Sequence, residues 1–279
     1  MAENPRTTPG VKVAMTIAGS DSGGGAGIQA DLKTFTVMGV FGVTAITAIT
    51  AQNTKKVQHV MAMSLEWIER QIEAITSDIE VHATKTGMLA TAEAVRSVAK
   101  AIKRANLMPL VVDPVMVAKS GDALVDDSAV QAIAKDLLPL AAIVTPNRAE
   151  AARLLGLSEP IAGIAEAGRA AEQICKRFGA RACVIKGFQK GASTEGEMID
   201  VYYDGTQVLE VAGPMRGTDN THGAGCVFAA AITASLALGE PIEKAVVTAK
   251  ELIGEAIRQT TDIGKGRAPV NPLAWMNVK

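Results

Sequence analysis

Val11-Lys-Val-Ala-Met-Thr-Ile-Ala18, followed by Gly19-Ser-Asp-Ser-Gly-Gly-Gly-Ala-Gly27, sets the architecture of this chain. The first stretch is apolar apart from Lys12 and Thr16 and does not alternate, as a strand buried on both faces does not. A glycine-rich loop follows it, and Ile28 to Met38 then reads as a helix. The unit recurs downstream. Strands at 43–51, 81–85, 110–113, 142–145 and 182–186 alternate with helices at 92–104, 128–138, 148–155 and 165–178. Ser64 opens a further helix with Ile68, Ile72, Ile75 and Ile79 along one face. Segments 199–203 and 207–211, joined across Asp204-Gly205, read as a hairpin. Helices at about 225–238 and 242–259 come last, ahead of a polar tail. Short apolar strands alternating with helices predict an α/β protein, a three-layer α/β/α sandwich on a mainly parallel central sheet. Met1 to Gly10 is a loose polar tail, and residues 11–279 show no linker or repeat and read as one domain.

Bulk composition narrows the partners. A chain of 279 residues buries about three quarters of its unfolded surface and needs no staples. Hydrophobic content of 48%, charged content of 20% and net charge −1 describe a globular protein without a nucleic-acid or membrane surface. No apolar run is long enough to span a bilayer, and the N-terminus lacks the apolar core of a signal peptide. Cys175, Cys183 and Cys226 have no CxxC spacing, which suits reduced thiols and a cytoplasmic location.

The chemistry gathers around Arg216-Gly-Thr-Asp-Asn-Thr-His-Gly-Ala-Gly-Cys226, after which small apolar residues run to Leu238. A glycine loop feeding a helix N-terminus offers unpaired N–H groups and partial positive charge, the features of an anion cradle. Gly223 and Gly225 admit close approach of a bound group, and the same field favours a thiolate at Cys226. The plainer reading is a turn with Cys226 as buried filler. Asp113 at a strand end and Asn147-Arg-Ala-Glu150 after the strand ending at Thr145 are ligands that Mg²⁺ with phosphates prefers. Taken singly, Asp113 before Pro114 is an ordinary turn residue and Glu150 an ordinary first-turn acid. Taken with the cradle, they suggest phosphoryl transfer. His59, His82 and His222 do not have zinc-ligand spacing, and neither a Gly-x-Ser-x-Gly elbow nor a Gly-x-x-x-x-Gly-Lys-Ser/Thr loop occurs. Gly25-Ala-Gly27-Ile-Gln-Ala30 fits the fingerprint of a dinucleotide-binding oxidoreductase, a distant alternative. Against it, the strand at 43–51 ends in Gln52-Asn53 where a ribose-binding acid is expected.

Several stretches together resemble one family. Ala18 to Phe35, Thr47 to Thr54, Lys85-Thr-Gly-Met-Leu89, Asp113 to Gly121, Thr145-Pro-Asn147 with Glu150, and Asn220 to Cys226 are similar to the hydroxymethylpyrimidine/phosphomethylpyrimidine kinases of thiamine biosynthesis. The resemblance runs from about residue 11 to the end and implies a ribokinase-like fold, ATP with Mg²⁺, and a homodimer. It assigns Gln52 to the pyrimidine edge, with Gly19, Asp31, Met88 and Val115 forming that pocket. Asp113 and Glu150 fall near the magnesium, and Asn147, Lys186 and Thr221 near the nucleotide phosphates. Cys226 matches the catalytic base, with the amides of Gly223 to Gly225 stabilising the transferring group. The chain departs from the family at Lys186-Gly-Phe-Gln189, where Lys-Gly-Gly-His is usual, and at Thr218-Asp-Asn220, where Thr-Lys-Asn is usual. Both changes bear on a second phosphorylation, of the monophosphate, more than on the first. A pyridoxine or pyridoxal kinase is the near alternative, and a non-catalytic pyrimidine-binding regulator a third.

Overall fold

The computed structural model describes residues 10–117, 125–190, 196–214 and 220–278. Met1 to Pro9 of the tail, Ala118 to Gly121 of the Asp113 motif, and Arg216 to Asp219 lie outside the described residues. In chain order the elements are β1 (Val13–Asp21), α1 (Gly27–Val37), β2 (Phe41–Gln52), β3 (Val57–Ala62), α2 (Leu65–Thr76) and β4 (Ala83–Thr86). Next come α3 (Ala92–Ala105), β5 (Leu110–Val112), α4 (Asp127–Ala132), β6 (Ala141–Val144), α5 (Arg148–Leu155) and α6 (Ile164–Phe178). β7 (Cys183–Lys190), β8 (Glu197–Tyr203), β9 (Val208–Pro214), α7 (Ala224–Ala237) and α8 (Ile242–Arg258) complete the order.

The strands form one sheet in the order β3-β2-β1-β4-β5-β6-β7-β8-β9. β2, β1, β4, β5, β6 and β7 pair in parallel, and β3, β8 and β9 add antiparallel margins. Both faces of the central strands are buried, which is why their sequence does not alternate. In β1, Val13, Met15 and Ile17 join a core with α2 to α6, whereas Ala14 joins a second core with α1, α7 and α8. Those two cores are the helical layers of the predicted sandwich. Helix α7 is buried from Val227 to Ala237 and packs beside α1 and α8 against β1, β4 and β5, which explains an all-round apolar sequence. Chain order reverses between β1 and β4, so their carboxyl ends frame the crevice where sheets of this kind bind ligands.

Three expectations need correcting. β3 occupies a stretch in which the sequence reading had no strand; it is mostly exposed, so no core-facing period marks it. The helix expected over 128–138 is α4 followed by a π turn (Ile133–Leu137) and a 3₁₀ turn (Leu138–Leu140) containing Pro139. The polar tail is in fact docked. Ala268, Val270, Ala274 and Trp275 are buried, and the short turn Pro272–Asn277 packs on α1 and α8.

Candidate active site

At the end of β1, Asp21 turns the chain. Its Oδ1 accepts from the Gly23 N–H at 2.8 Å, and its Oδ2 from Gly25 at 3.1 Å and Ala26 at 2.8 Å. Gly24 N–H bonds the Asp21 carbonyl, and Gly27 N–H points to the Cys226 sulfur. The amides of residues 23–27 are therefore spent inside the protein. Asp21 Oδ2 also lies 3.0 Å from His222 Nε2, which ties the loop to the chain leading into α7. Burial acts to raise the Asp21 pKa, but His222 and the amides of Gly23 and Ala26 together hold it below the ordinary carboxylate value.

The second glycine loop behaves differently. Gly223 caps α7 with φ 79°, and a Cβ there would overlap the Gly25 carbonyl, so the two loops meet backbone to backbone. In the first turn of α7 the Ala224 N–H bonds the Thr221 carbonyl at 3.2 Å, while Gly225 and Cys226 have no intrahelical acceptor for theirs and line a cavity of about 560 Å³. A Cβ on Gly225 would stand 3.5 Å from Lys186 Nζ and 4.0 Å from Asp113 Oδ2, so glycine keeps a gap open between amides, ammonium and carboxylate. Lys186 Nζ is 3.3 Å from Asp113 Oδ1, which also accepts from Thr145 Oγ1 at 3.1 Å. Asp113 Oδ2 is buried without a hydrogen-bond partner among the described residues. A cation would satisfy it.

Glu150 is no solvated acid. It is buried in a capping box in which Asn147 accepts from the α5 amides, and Glu150 Oε2 accepts from Asn147 N–H at 2.8 Å. Its Oε1 accepts from Met116 N–H at 3.4 Å. Burial pushes its carboxyl up to about 7 against the opposing pull of Lys186. No group of three acidic, His or Cys side chains that could hold a metal ion occurs among the described residues. The donors present fit a cation that keeps most of its shell as water and phosphate oxygen, as Mg²⁺ does.

Of the residues singled out in the sequence, Cys226, Gly223, Gly225, Gln52, Gly19, Met88, Val115, Asn147, Lys186, Thr221, Asp113 and Glu150 all line this one cavity. Asp31 does not. It sits wholly buried beneath the floor, its Oδ2 accepting from Lys85 Nζ at 2.9 Å and from Thr16 Oγ1 at 2.6 Å. Lys85 is the member of that pair that reaches the cavity wall. Burial acts to lower the Lys85 pKa, but Asp31, then Cys226 and Asp113, outweigh it and keep the ammonium charged. The thiolate expected at Cys226 is corrected as well: burial, with Asp31 adding to it and Lys85 opposing, pushes the thiol up to about 12. Desolvation and two nearby carboxylates exceed the field of one helix turn. At the other end, Gln52 N–H donates to Ser22 Oγ, and Gln52 Oε1 lies 3.2 Å from the Thr50 hydroxyl. The sequence reading missed Asp21, His222, Lys85, Asp200 and Lys250. A lysine closing the strand at 81–85, just before Thr86-Gly-Met-Leu89, was a signal for Lys85, and an acid opening a glycine loop for Asp21. Asp200 and Lys250 are fifty positions apart and carried no local signal.

A sequence model of the phosphomethylpyrimidine kinase family matches residues 21–271. A relative from Rhizobium meliloti (strain 1021), named hydroxymethylpyrimidine/phosphomethylpyrimidine kinase, is 47% identical over 262 residues, covering 93% of this chain and 96% of that protein. Among solved structures, an ADP complex of Bacillus subtilis pyridoxal kinase superposes with a TM-score of 0.87 at 40% identity, covering 95% of this chain and 98% of that one. A phosphomethylpyrimidine kinase from Clostridium difficile 630 superposes at 0.76 with 39% identity, covering 88% and 99%.

Proposed function

The chain belongs to the phosphomethylpyrimidine kinase family and is a phosphotransferase; on that premise we propose that it phosphorylates the hydroxymethyl group of 4-amino-5-hydroxymethyl-2-methylpyrimidine, and then the resulting monophosphate, with ATP. The observation that carries the reading is one cavity with two chemically distinct ends meeting at the α7 N-terminus. One end has Gln52, Gly19, Met88, Val57 and Val115, a flat amide among apolar side chains suited to an aminopyrimidine. The other has Met198, Pro214, Ile253 and Ile257, an apolar slot suited to a nucleotide base. Between them the α7 amides, Lys186 and Asn147 meet the phosphates, and Cys226 takes the hydroxymethyl proton. Asp113 and Glu150 would hold magnesium with ATP, which would supply positive charge to the phosphate oxygens and offset the Asp113 carboxylate that helps raise the Cys226 thiol. We assign one kinase domain to residues 11–279, a cytoplasmic location and a homodimer.

A pyridoxal kinase is the second reading, favoured by the Bacillus subtilis superposition. Turnover of ATP with the aminopyrimidine and with pyridoxal, compared as kcat/KM, separates the two. The expected preference is roughly ten- to hundred-fold for the pyrimidine, since pyridoxal leaves one group of the Gln52 amide unmatched. A preference for pyridoxal would reverse the assignment, and no turnover with either would end the kinase reading for these acceptors.

A further inference from the structure

The β7–β8 ladder pairs Ile185 with Val201 and then Phe188 with Ile199, so Lys186 and Gly187 face the single residue Asp200. Two residues against one is a β-bulge, a device that re-aims a side chain. Lys186 N–H turns to the other side and bonds the Pro146 carbonyl at 3.1 Å. Gly187, at φ 94°, donates its N–H to a side chain instead of the ladder: Asp200 Oδ1, at 2.9 Å. Asp200 Oδ2 accepts from Lys250 Nζ of α8 at 2.8 Å, and the two side chains are only 7% and 9% exposed. The Lys250 stem lies over Gly213 of β9, where a Cβ would come within 2.7 Å of its Cε. All five residues line the cavity, and the amine carried by the bulge is the one beside Asp113.

We propose that Asp200 is a positioning residue that holds the bulge and so aims Lys186 at the transferring phosphate, and that Lys250 cancels the Asp200 charge so that the nucleotide is not repelled. The proposal rests on the kinase reading in placing Lys186 at the phosphates. A buried ion pair contributes little net stability, because desolvating both charges offsets their attraction. Here one oxygen is bound to the backbone beside Lys186 and the other to a cation on the same wall. The charge balance also explains how a buried carboxylate can sit on the wall of a site for polyanions. Removing Lys250 alone exposes the nucleotide to that carboxylate, and removing Asp200 alone frees the bulge.

The test measures kcat and both KM values, ADP binding by calorimetry, and melting temperature for four variants. Asp200→Ala loses the Gly187 acceptor; kcat falls about 10²-fold, the cost of an ångström-scale misplacement, while KM for the pyrimidine holds. Lys250→Met weakens ADP binding about tenfold through the uncompensated charge. Asp200→Asn keeps an acceptor for Gly187 and leaves Lys250 unpaired, so its kcat stays above that of Asp200→Ala. The double variant Asp200→Asn/Lys250→Met has both an acceptor and charge balance, and regains ADP affinity to within about threefold of the parent. A purely structural pair would lower the melting temperature in all four and leave kcat and ADP affinity within twofold; that result, or a double variant binding ADP no better than Lys250→Met, overturns the proposal. If Asp200→Ala does not fold, the Lys250→Met and double-variant comparison decides. ADP binding needs no acceptor, so a wrong acceptor assignment shows as absent turnover in the parent and leaves this comparison readable.

Discussion

Cys226 is held between opposed fields, and their balance sets its chemistry. The α7 dipole and Lys85 favour the thiolate, while burial and Asp31 favour the thiol and prevail, leaving it near 12. In the ligand-free protein, iodoacetamide labelling of Cys226 is therefore expected to rise about tenfold per pH unit from pH 7 to 9, with no plateau. A plateau in that window would reveal a low-pKa thiolate. Cys226→Ala is expected to lose roughly 10²–10⁴-fold in kcat with little change in KM, and near-parental turnover would remove the residue from the mechanism. Gln52 carries selectivity on a separate argument. It lines the acceptor end of the cavity, and its amide pairs an acceptor with donors as the aminopyrimidine edge requires. Gln52→Met is expected to reduce the pyrimidine-to-pyridoxal ratio of kcat/KM by about tenfold or more, the worth of an unmatched buried group. An unmoved ratio would place selectivity on other residues.

At the scale of elements, the site is built where two glycine loops press together. Gly223 packs on the Gly25 carbonyl, and Asp21 gathers three amides of the first loop while meeting His222 of the second. Asp21 therefore shapes the approach to α7. Its carboxyl is held below the ordinary value, so its contribution to stability is complete above about pH 4 and is lost as pH falls through the lower folded value. Urea midpoints of the parent should fall over that acid window, and Asp21→Asn should both lower the neutral-pH midpoint and flatten the acid dependence. Equal acid slopes in the two proteins would show that Asp21 is not the linked group. The 264–270 segment reinforces the same junction: Arg267 N–H bonds the Thr54 carbonyl at 2.9 Å, and Ala268 N–H bonds Asn220 Oδ1 at 3.0 Å.

At the scale of the whole molecule, the β2–β3 margin is left exposed. Ile49 pairs directly with Met61 across that ladder, and Ile49, Val60, Met61, Leu65 and Trp67 are 42, 47, 59, 39 and 58% exposed. Exposed large apolar side chains at one margin of a sheet suit burial against another chain, which is the support for the proposed homodimer. Sedimentation velocity of the parent is expected to give a dimer, and Met61→Asp to shift it toward monomer with the fold retained by circular dichroism. A parent that sediments as a monomer would withdraw the dimer.

The sequence by itself determined the layered α/β plan, because buried parallel strands and the helices between them write their periods locally. It also determined that the loop leading to Cys226 opens a helix, and every site residue it singled out except Asp31 lines the cavity. Only the tertiary structure decided the fate of Asp31, whose carboxylate is taken by Lys85 from a strand 54 positions away. The same holds for the protonation of Cys226, which depends on the summed field of groups on separate elements, and for Asp200, which acquires its role only opposite a bulge in another strand. Local periodicity reports which face of an element is buried; it carries no information about which charges long-range packing will bring within a few ångströms.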